Sequence, residues 1–259
     1  MKKRIIIGNW KMNPLTSKEA SKLFVDINKA LVLVRVKNTE VVVCPPAIYI
    51  EKLKKSAKKL TLGVQNIYPG DMGAFTGEIS VKMVANLGAK YAIVGHSERR
   101  GMGETNQIIN KKIKSVLNTE LTPVLCVGES ERDGNHEYLN FIKMQLLESL
   151  EGVSKNSISK IVIAYEPVWA IGVDSNRPAT AEEFLEISIF IKKILSDKFG
   201  AKSLEDMRII YGGSIHPETV LPFLIEGKAD GFLPGRDSIN AKKFLEIIKI
   251  TESVSLNTK

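Results

Sequence analysis

Short runs rich in Ile and Val punctuate the chain at residues 4–7, 40–43, 60–64, 91–94, 123–127, 160–165, 208–211 and 229–233. Several of them, among them Ile5-Ile6-Ile7, Val41-Val42-Val43 and Ile161-Val162-Ile163, are continuous rather than alternating. A strand that is apolar on both faces belongs in a parallel sheet covered on both sides. Between the runs, apolar residues recur at helical spacing. Thr16 and Glu19 form a capping-box pair ahead of Ala20, Leu23, Phe24, Ile27 and Leu31. Thr180 and Glu183 form a second, ahead of Phe184, Ile187, Ile191, Ile194 and Leu195, with Gly200 placed to end that helix. Pro217 follows His216 as the first residue of a further helix.

Eight strands alternating with helices, with no Gly/Ser-rich or charged linker between halves, predict one parallel α/β domain. Eight is the number that closes a barrel, so a single (β/α)8 barrel is expected over residues 1–250, with a polar tail at 251–259. An open doubly wound sheet is the alternative, but neither GxGxxG nor GxxxxGK[ST] supports it. The connection over residues 66–80 is long and carries its own Gly and aromatic residues, which suits a functional or interfacial loop.

Composition removes other classes. The 259 residues are 44% hydrophobic and 25% charged, the make-up of a folded chain rather than a disordered or collagen-like one. No apolar run approaches the roughly 20 residues of a membrane helix, and no membrane partner is expected. The stretch after Lys2-Lys3-Arg4 ends at Gly8, too short for a signal peptide. Cys44 and Cys126 stand far apart and outside any CxxC pair, so a disulfide framework and a cysteine metal site are not expected, and a reducing cytoplasm fits. The net charge of +8 suits an anionic partner: nucleic acid, lipid or a phosphorylated substrate. The densest cluster, Lys52, Lys54, Lys55, Lys58 and Lys59, reads as a solvated helix side with Leu53 and Ala57 inward. No aromatic strand or zinc-knuckle spacing accompanies it, and nucleic acid is not expected.

In an α/β barrel the chemistry comes from the C-terminal ends of several strands. Asn9 and Lys11 follow the first run, His96 and Glu98 the fourth, and Glu166 the sixth; Gly212, Gly213 and Ser214 follow the seventh, Gly235 and Arg236 the eighth. Strand alternation predicts a shared side for Ile5, Ile7, Asn9 and Lys11, for Ala92, Val94 and His96, and for Val162, Ala164 and Glu166. Pro167 holds the Glu166 backbone extended, a good setting for a general base. Glycine turns leading into helices can present N–H groups to a phosphate.

Gly8-Asn9-Trp10-Lys11-Met12-Asn13, Gly77-Glu78-Ile79-Ser80, Gly95-His96-Ser97-Glu98-Arg99-Arg100, Ala164-Tyr165-Glu166-Pro167-Val168-Trp169-Ala170-Ile171-Gly172 and Tyr211-Gly212-Gly213-Ser214 together resemble the triosephosphate isomerase family, in the right order over essentially the whole chain. The resemblance implies the (β/α)8 TIM barrel, a homodimer, no metal or organic cofactor, and aldose–ketose interconversion of a small sugar phosphate in cytoplasmic glycolysis and gluconeogenesis. This family is itself a standard illustration of acid–base tuning. Carried over, Glu166 is the base that moves a proton between neighbouring carbons and His96 the neutral imidazole that hydrogen-bonds the enediolate. Lys11 supplies positive charge, Asn9 a hydrogen bond to a substrate oxygen, and Glu98 a partner for Lys11. Backbone N–H groups near Gly172, Ser214 and Gly235 bind the phosphate, helped by a short helix near Ser238. Residues 167–180 form a lid, and the 67–80 loop, with Phe75-Thr76-Gly77, inserts into a partner copy. Cys126 has a packing role; His136 and His216 are expected at the surface and at a helix cap.

Three departures stand out. The lid runs Val173-Asp174-Ser175-Asn176-Arg177-Pro178-Ala179-Thr180, two residues longer than usual in the family. Arg236, in Pro234-Gly235-Arg236-Asp237-Ser238, replaces a phosphate-binding glycine and is expected to contact the phosphate or narrow the sugar pocket. Arg100-Gly101-Met102-Gly103-Glu104 is one residue short. The first two also resemble paralogues that isomerise erythrulose phosphates, so a tetrulose phosphate is the alternative substrate. A scaffold that kept the fold without catalysis is the rival of another class, disfavoured by intact Asn9, Lys11, His96 and Glu166.

Overall fold

The computed structural model describes residues 2–171 and 177–254. Gly172, residues 173–176 of the expected lid and residues 255–259 of the expected tail lie outside the described residues. All eight strands form: β1 (Arg4–Asn9), β2 (Thr39–Cys44), β3 (Thr61–Val64), β4 (Tyr91–Val94), β5 (Thr122–Val127), β6 (Val162–Tyr165), β7 (Arg208–Tyr211) and β8 (Gly231–Phe232). They pair in parallel, each with its chain neighbour, and β8 closes on β1 through Ile5 opposite Gly231 and Ile6 opposite Phe232. This is the single (β/α)8 TIM barrel. Closure depends on Gly231, where a Cβ would stand 1.8 Å from the Ile5 carbonyl oxygen.

The helices are α1 (Ser17–Val34), α2 (Ile50–Lys54), α3 (Val81–Asn86), α4 (Ser97–Gly101), α5 (Asn106–Leu117), α6 (Glu137–Ser149), α7 (Lys155–Ile158), α8 (Ala181–Phe199), α9 (Pro217–Ile225) and α10 (Ala241–Ser253). Both capping boxes form: Thr16 Oγ1 accepts from the Glu19 N–H at 3.2 Å, and Thr180 Oγ1 from the Glu183 N–H at 3.2 Å. Gly200 ends α8 at φ 85°, and Pro217 opens α9. The continuous runs are explained by two cores. Ile5, Ile7, Val42, Ile93, Val124, Val162, Ala164 and Ile210 fill the barrel interior. Ile6, Val41, Val43, Ala92, Val94 and Ile163 meet Phe24, Ile27, Ile109, Ile187, Ile191 and Phe244 from the helices. At roughly 25 cal/mol per Å² of apolar area removed from water, such two-sided burial is the dominant force closing the barrel.

Two sequence expectations shift at their edges. The last helix runs into the stretch expected as tail, where Thr251 is buried and its hydroxyl donates to the Ile247 carbonyl at 2.8 Å. The lysine cluster outlasts its helix, since α2 stops at Lys54; all five lysines are exposed and Leu53 is buried. Among the described residues no helix is long and apolar enough to cross a membrane.

Candidate active site

A cleft of about 440 Å³ opens at the C-terminal ends of the strands, lined among others by Asn9, Lys11, His96, Glu98, Gly213, Ser214, His216, Gly235 and Arg236. Asn9, the last residue of β1, keeps the parity of Ile5 and Ile7; its Oδ1 accepts the Lys11 N–H at 3.0 Å, leaving the amide end for a ligand. Lys11 does not extend the strand. It adopts φ 53°, a left-handed conformation that costs about 1–2 kcal/mol for a residue with a Cβ. Gln65 Nε2 holds it there by donating to the Lys11 carbonyl at 2.8 Å and the Cys44 carbonyl at 2.9 Å. The ammonium then meets Glu98 Oε1 at 2.6 Å, the expected pair, and its stem passes over Gly235, where a Cβ would be 3.1 Å from Lys11 Cε.

His96 reaches the cleft by a different route from the one alternation predicts. Tyr91 and Ile93 face the interior, while Ala92 and Val94 pack under the helices. Gly95, at φ 71°, resets the chain before His96. The imidazole caps α4: Nδ1 accepts the Glu98 N–H at 3.2 Å. An accepting Nδ1 carries no proton, so Nε2 bears it, and Nε2 lies 3.1 Å from Glu166 Oε1.

Glu166 follows β6 on the interior side, as Val162 and Ala164 predict, and is 2% exposed. Its Oε2 accepts the Ser97 N–H at 2.9 Å. The carboxylate therefore touches His96 but borders a smaller hollow with Gly95, Arg100, Cys126 and Gly128, rather than lining the main cleft beside Lys11. Two glycines make room for it: a Cβ on Gly128 would stand 1.7 Å from the Glu166 carbonyl oxygen, and one on Gly212 2.9 Å from its Cγ. Burial pushes the Cys126 thiol well up, and the neighbouring Glu166 charge adds to the effect, so this sulfur stays protonated and packs. Arg100 closes the hollow, donating to the Gly95 carbonyl at 2.8 Å and the Cys126 carbonyl at 3.1 Å.

On the opposite wall, Ser214 Oγ donates to the Ala170 carbonyl at 3.1 Å, and the buried Ser238 donates to the Gly235 carbonyl at 2.6 Å. Arg236 begins a single 3-10 turn (Arg236–Ile239), exposed on the cleft wall. His216 caps α9 as expected, yet it also lines the cleft and bonds Asp237 at 2.8 Å. His136 sits at the start of α6.

Three residues escaped the sequence reading: Gln65, Glu129 and Arg132. Glu129 Oε1 accepts from Trp169 Nε1 at 2.7 Å, Tyr165 OH at 2.8 Å and Arg132 Nε at 3.2 Å, tying the residues after Glu166 to the end of β5. Burial pulls the Arg132 guanidinium down, but its bonds to Tyr165 and Glu129 outweigh this and raise it overall. Across this network, Arg177 lies over the Trp169 ring at 4.7 Å and holds Glu183 through two bonds of 2.6 and 3.0 Å. The ends of β3 and β5 carry Gln65 and Glu129, so the rule that found Asn9 and Glu166 reaches them as well. Among the described residues no three His, Cys, Asp or Glu side chains are grouped to hold a metal ion.

Residues 4–251 match the family described as triosephosphate isomerase. A triosephosphate isomerase of Alkaliphilus oremlandii is 40% identical over 253 residues, covering 96% of this chain and 99% of the relative. The one from Dictyoglomus thermophilum is 40% identical over 257 residues, covering 96% and 100%. That of Clostridium novyi is 40% identical over 255 residues, covering 96% and 98%. A whole-length match and a barrel mouth holding Asn9, Lys11 and His96 beside Glu166 lead to one statement: the chain belongs to the triosephosphate isomerase family.

Proposed function

We propose that the protein interconverts dihydroxyacetone phosphate and D-glyceraldehyde 3-phosphate through an enediolate. The observation that carries the reading is the state of His96. With Nδ1 occupied as an acceptor, the neutral ring offers Nε2–H beside a buried carboxylate, in a cleft that also holds an ammonium. Glu166 turns from the Ser97 N–H towards the bound substrate, takes a proton from the carbon next to the carbonyl, and returns it to the neighbouring carbon. The electron pair moves onto the carbonyl oxygen, where the His96 Nε2–H, the Lys11 ammonium and the Asn9 amide receive the charge. Pre-set donors of this kind are usually the largest type of term in catalysis. Glu98 pairs with Lys11, and N–H groups around Gly172, Ser214 and Gly235 cradle the phosphate.

The relatives' shared name favours the three-carbon substrate over a tetrulose phosphate. A coupled assay decides between them: triose phosphates are expected to show the higher kcat/KM. A preference of about tenfold or more for an erythrulose phosphate overturns the reading.

The same reading includes a cytoplasmic homodimer joined through the 67–80 loop. Met72 is 85% exposed and Phe75 45%, and in the loop after β1 Met12 and Leu15 are 88% and 87% exposed. Apolar side chains left this open are the kind a second copy covers.

A further inference from the structure

The cleft contains two basic side chains that the proton transfer does not use, His216 and Arg236, and a buried carboxylate holds the first of them. Asp237 is 2% exposed; its Oδ2 lies 2.8 Å from His216 Nδ1 and its Oδ1 3.4 Å from Lys243 Nζ. A carboxylate only accepts, so His216 Nδ1 carries the hydrogen and the ring is held in one orientation. Its other nitrogen, Nε2, has no partner among the described residues. Arg236, the chain neighbour of Asp237, lines the same wall, and its guanidinium makes no hydrogen bond or ion pair with any described residue. Five N–H donors without an acceptor among the described residues therefore belong to a cleft that Gly213, Ser214 and Gly235 also line. The other cleft cation, Lys11, is already matched by Glu98 at 2.6 Å. The unmatched positive charge of the cleft is thus concentrated on the wall assigned to the phosphate.

We infer that Arg236, together with His216 oriented by Asp237, grips the substrate's phosphate from its outer side, adding side-chain donors to the backbone cradle. The inference rests on the functional reading above; it takes the first of the two roles expected for Arg236 and adds one further binding residue, His216, and one positioning residue, Asp237, for the same site. A guanidinium fork is matched to a phosphate oxyanion, and a charge-assisted bond of this kind is roughly twice as strong as a neutral one. Arg236 thus compensates for the glycine it replaces: an amide approach is restricted, and a charged donor is gained.

The test compares Arg236→Gly, His216→Gln and the double variant with the parent enzyme. Two quantities are read: steady-state kinetics on glyceraldehyde 3-phosphate, and calorimetric binding of inorganic phosphate. Arg236→Gly is expected to raise KM and the phosphate dissociation constant by about tenfold, with kcat falling by less than about threefold. His216→Gln is expected to raise both constants by about threefold, and the double variant by more than either. Asp237→Asn should follow His216→Gln, with its loss in KM rather than in kcat. The parent's KM should climb with ionic strength more steeply than that of Arg236→Gly. On unphosphorylated glyceraldehyde the variants should lose less, since no phosphate is present to be gripped. A folded double variant whose KM and phosphate constant stay within about twofold of the parent overturns the clamp, as does a loss confined to kcat. A parent that binds phosphate through Arg236 but isomerises no triose phosphate overturns the functional reading alone.

Discussion

His96 and Glu166 show how neighbours assign roles to single residues. The imidazole is an N–H donor at Nε2 because the Glu98 amide occupies Nδ1, and the carboxylate, 2% exposed, accepts the Ser97 amide. Glu166→Gln keeps the shape and removes the proposed base. It is expected to lower kcat by roughly 10²–10⁴-fold while an anionic analogue still binds, checked by steady-state kinetics and calorimetry. Turnover within a few-fold of the parent would assign the base elsewhere. Glu166 was legible in the sequence because Val162, Ala164 and Glu166 lie on an unbroken strand and its edge. The placement of His96 on the alternation of Ala92 and Val94 failed because Gly95 adopts φ 71°, and that of Lys11 because it turns left-handed at φ 53°. Both reach the cleft, but through backbone reversals that a two-residue period does not encode. Sequence pattern marks His216 as a cap only: its bond to Asp237 joins residues 21 apart in the chain, and neither local pattern announces the other.

At the scale of elements, legibility follows how local the signal is. The capping boxes at Thr16 and Thr180 use residues three apart and form as read. The short β8 keeps only Gly231–Phe232 of its apolar run, so apolar content by itself does not set a strand's length. The 67–80 loop is held at its base by a Tyr68–Ser80 bridge and folded on itself by the Tyr68 and Phe75 rings, whose centroids are 4.3 Å apart. It is therefore a shaped projection with apolar side chains outward. Phe75→Asp puts a charge where a second copy would bury a ring. Sedimentation is expected to show the parent at twice the 28.7 kDa of one chain and the variant shifted to the single-chain mass. A parent that sediments as a single chain at assay concentrations removes the dimer.

For the whole molecule, the barrel's two ends differ: the C-terminal mouth holds the proposed site, and the other end carries a charged plug that joins distant strands. Arg208 on β7 bonds Glu40 on β2 at 3.1 Å and the Tyr91 hydroxyl on β4 at 3.2 Å. No short sequence window contains this plug, since its members are 51 to 168 residues apart (91 from 40, 208 from 40) and only closure assembles them. It has a pH signature. Burial, above all, pushes the Tyr91 phenol from 10.0 up to about 12; Arg208 opposes this, and Glu40 adds to it. Below pH 10 the phenol is protonated in the folded and unfolded chain alike, so its ionisation alters nothing. Between about pH 10 and 12 the unfolded chain releases the proton and the folded barrel retains it, so stability falls as pH rises, by up to about 3 kcal/mol from this group. Tyr165 and Tyr211 are raised by burial in the same sense and add their own alkaline loss. Tyr91→Phe removes one share. It loses the Arg208 bond and starts less stable near neutrality, so the quantity to read is the slope: denaturant melts at about pH 8 and about pH 11 should show a smaller alkaline loss in the variant than in the parent. Equal losses in the two proteins would mean that the phenol at the floor of the barrel ionises as freely as one in water, and that the plug does not seal that end.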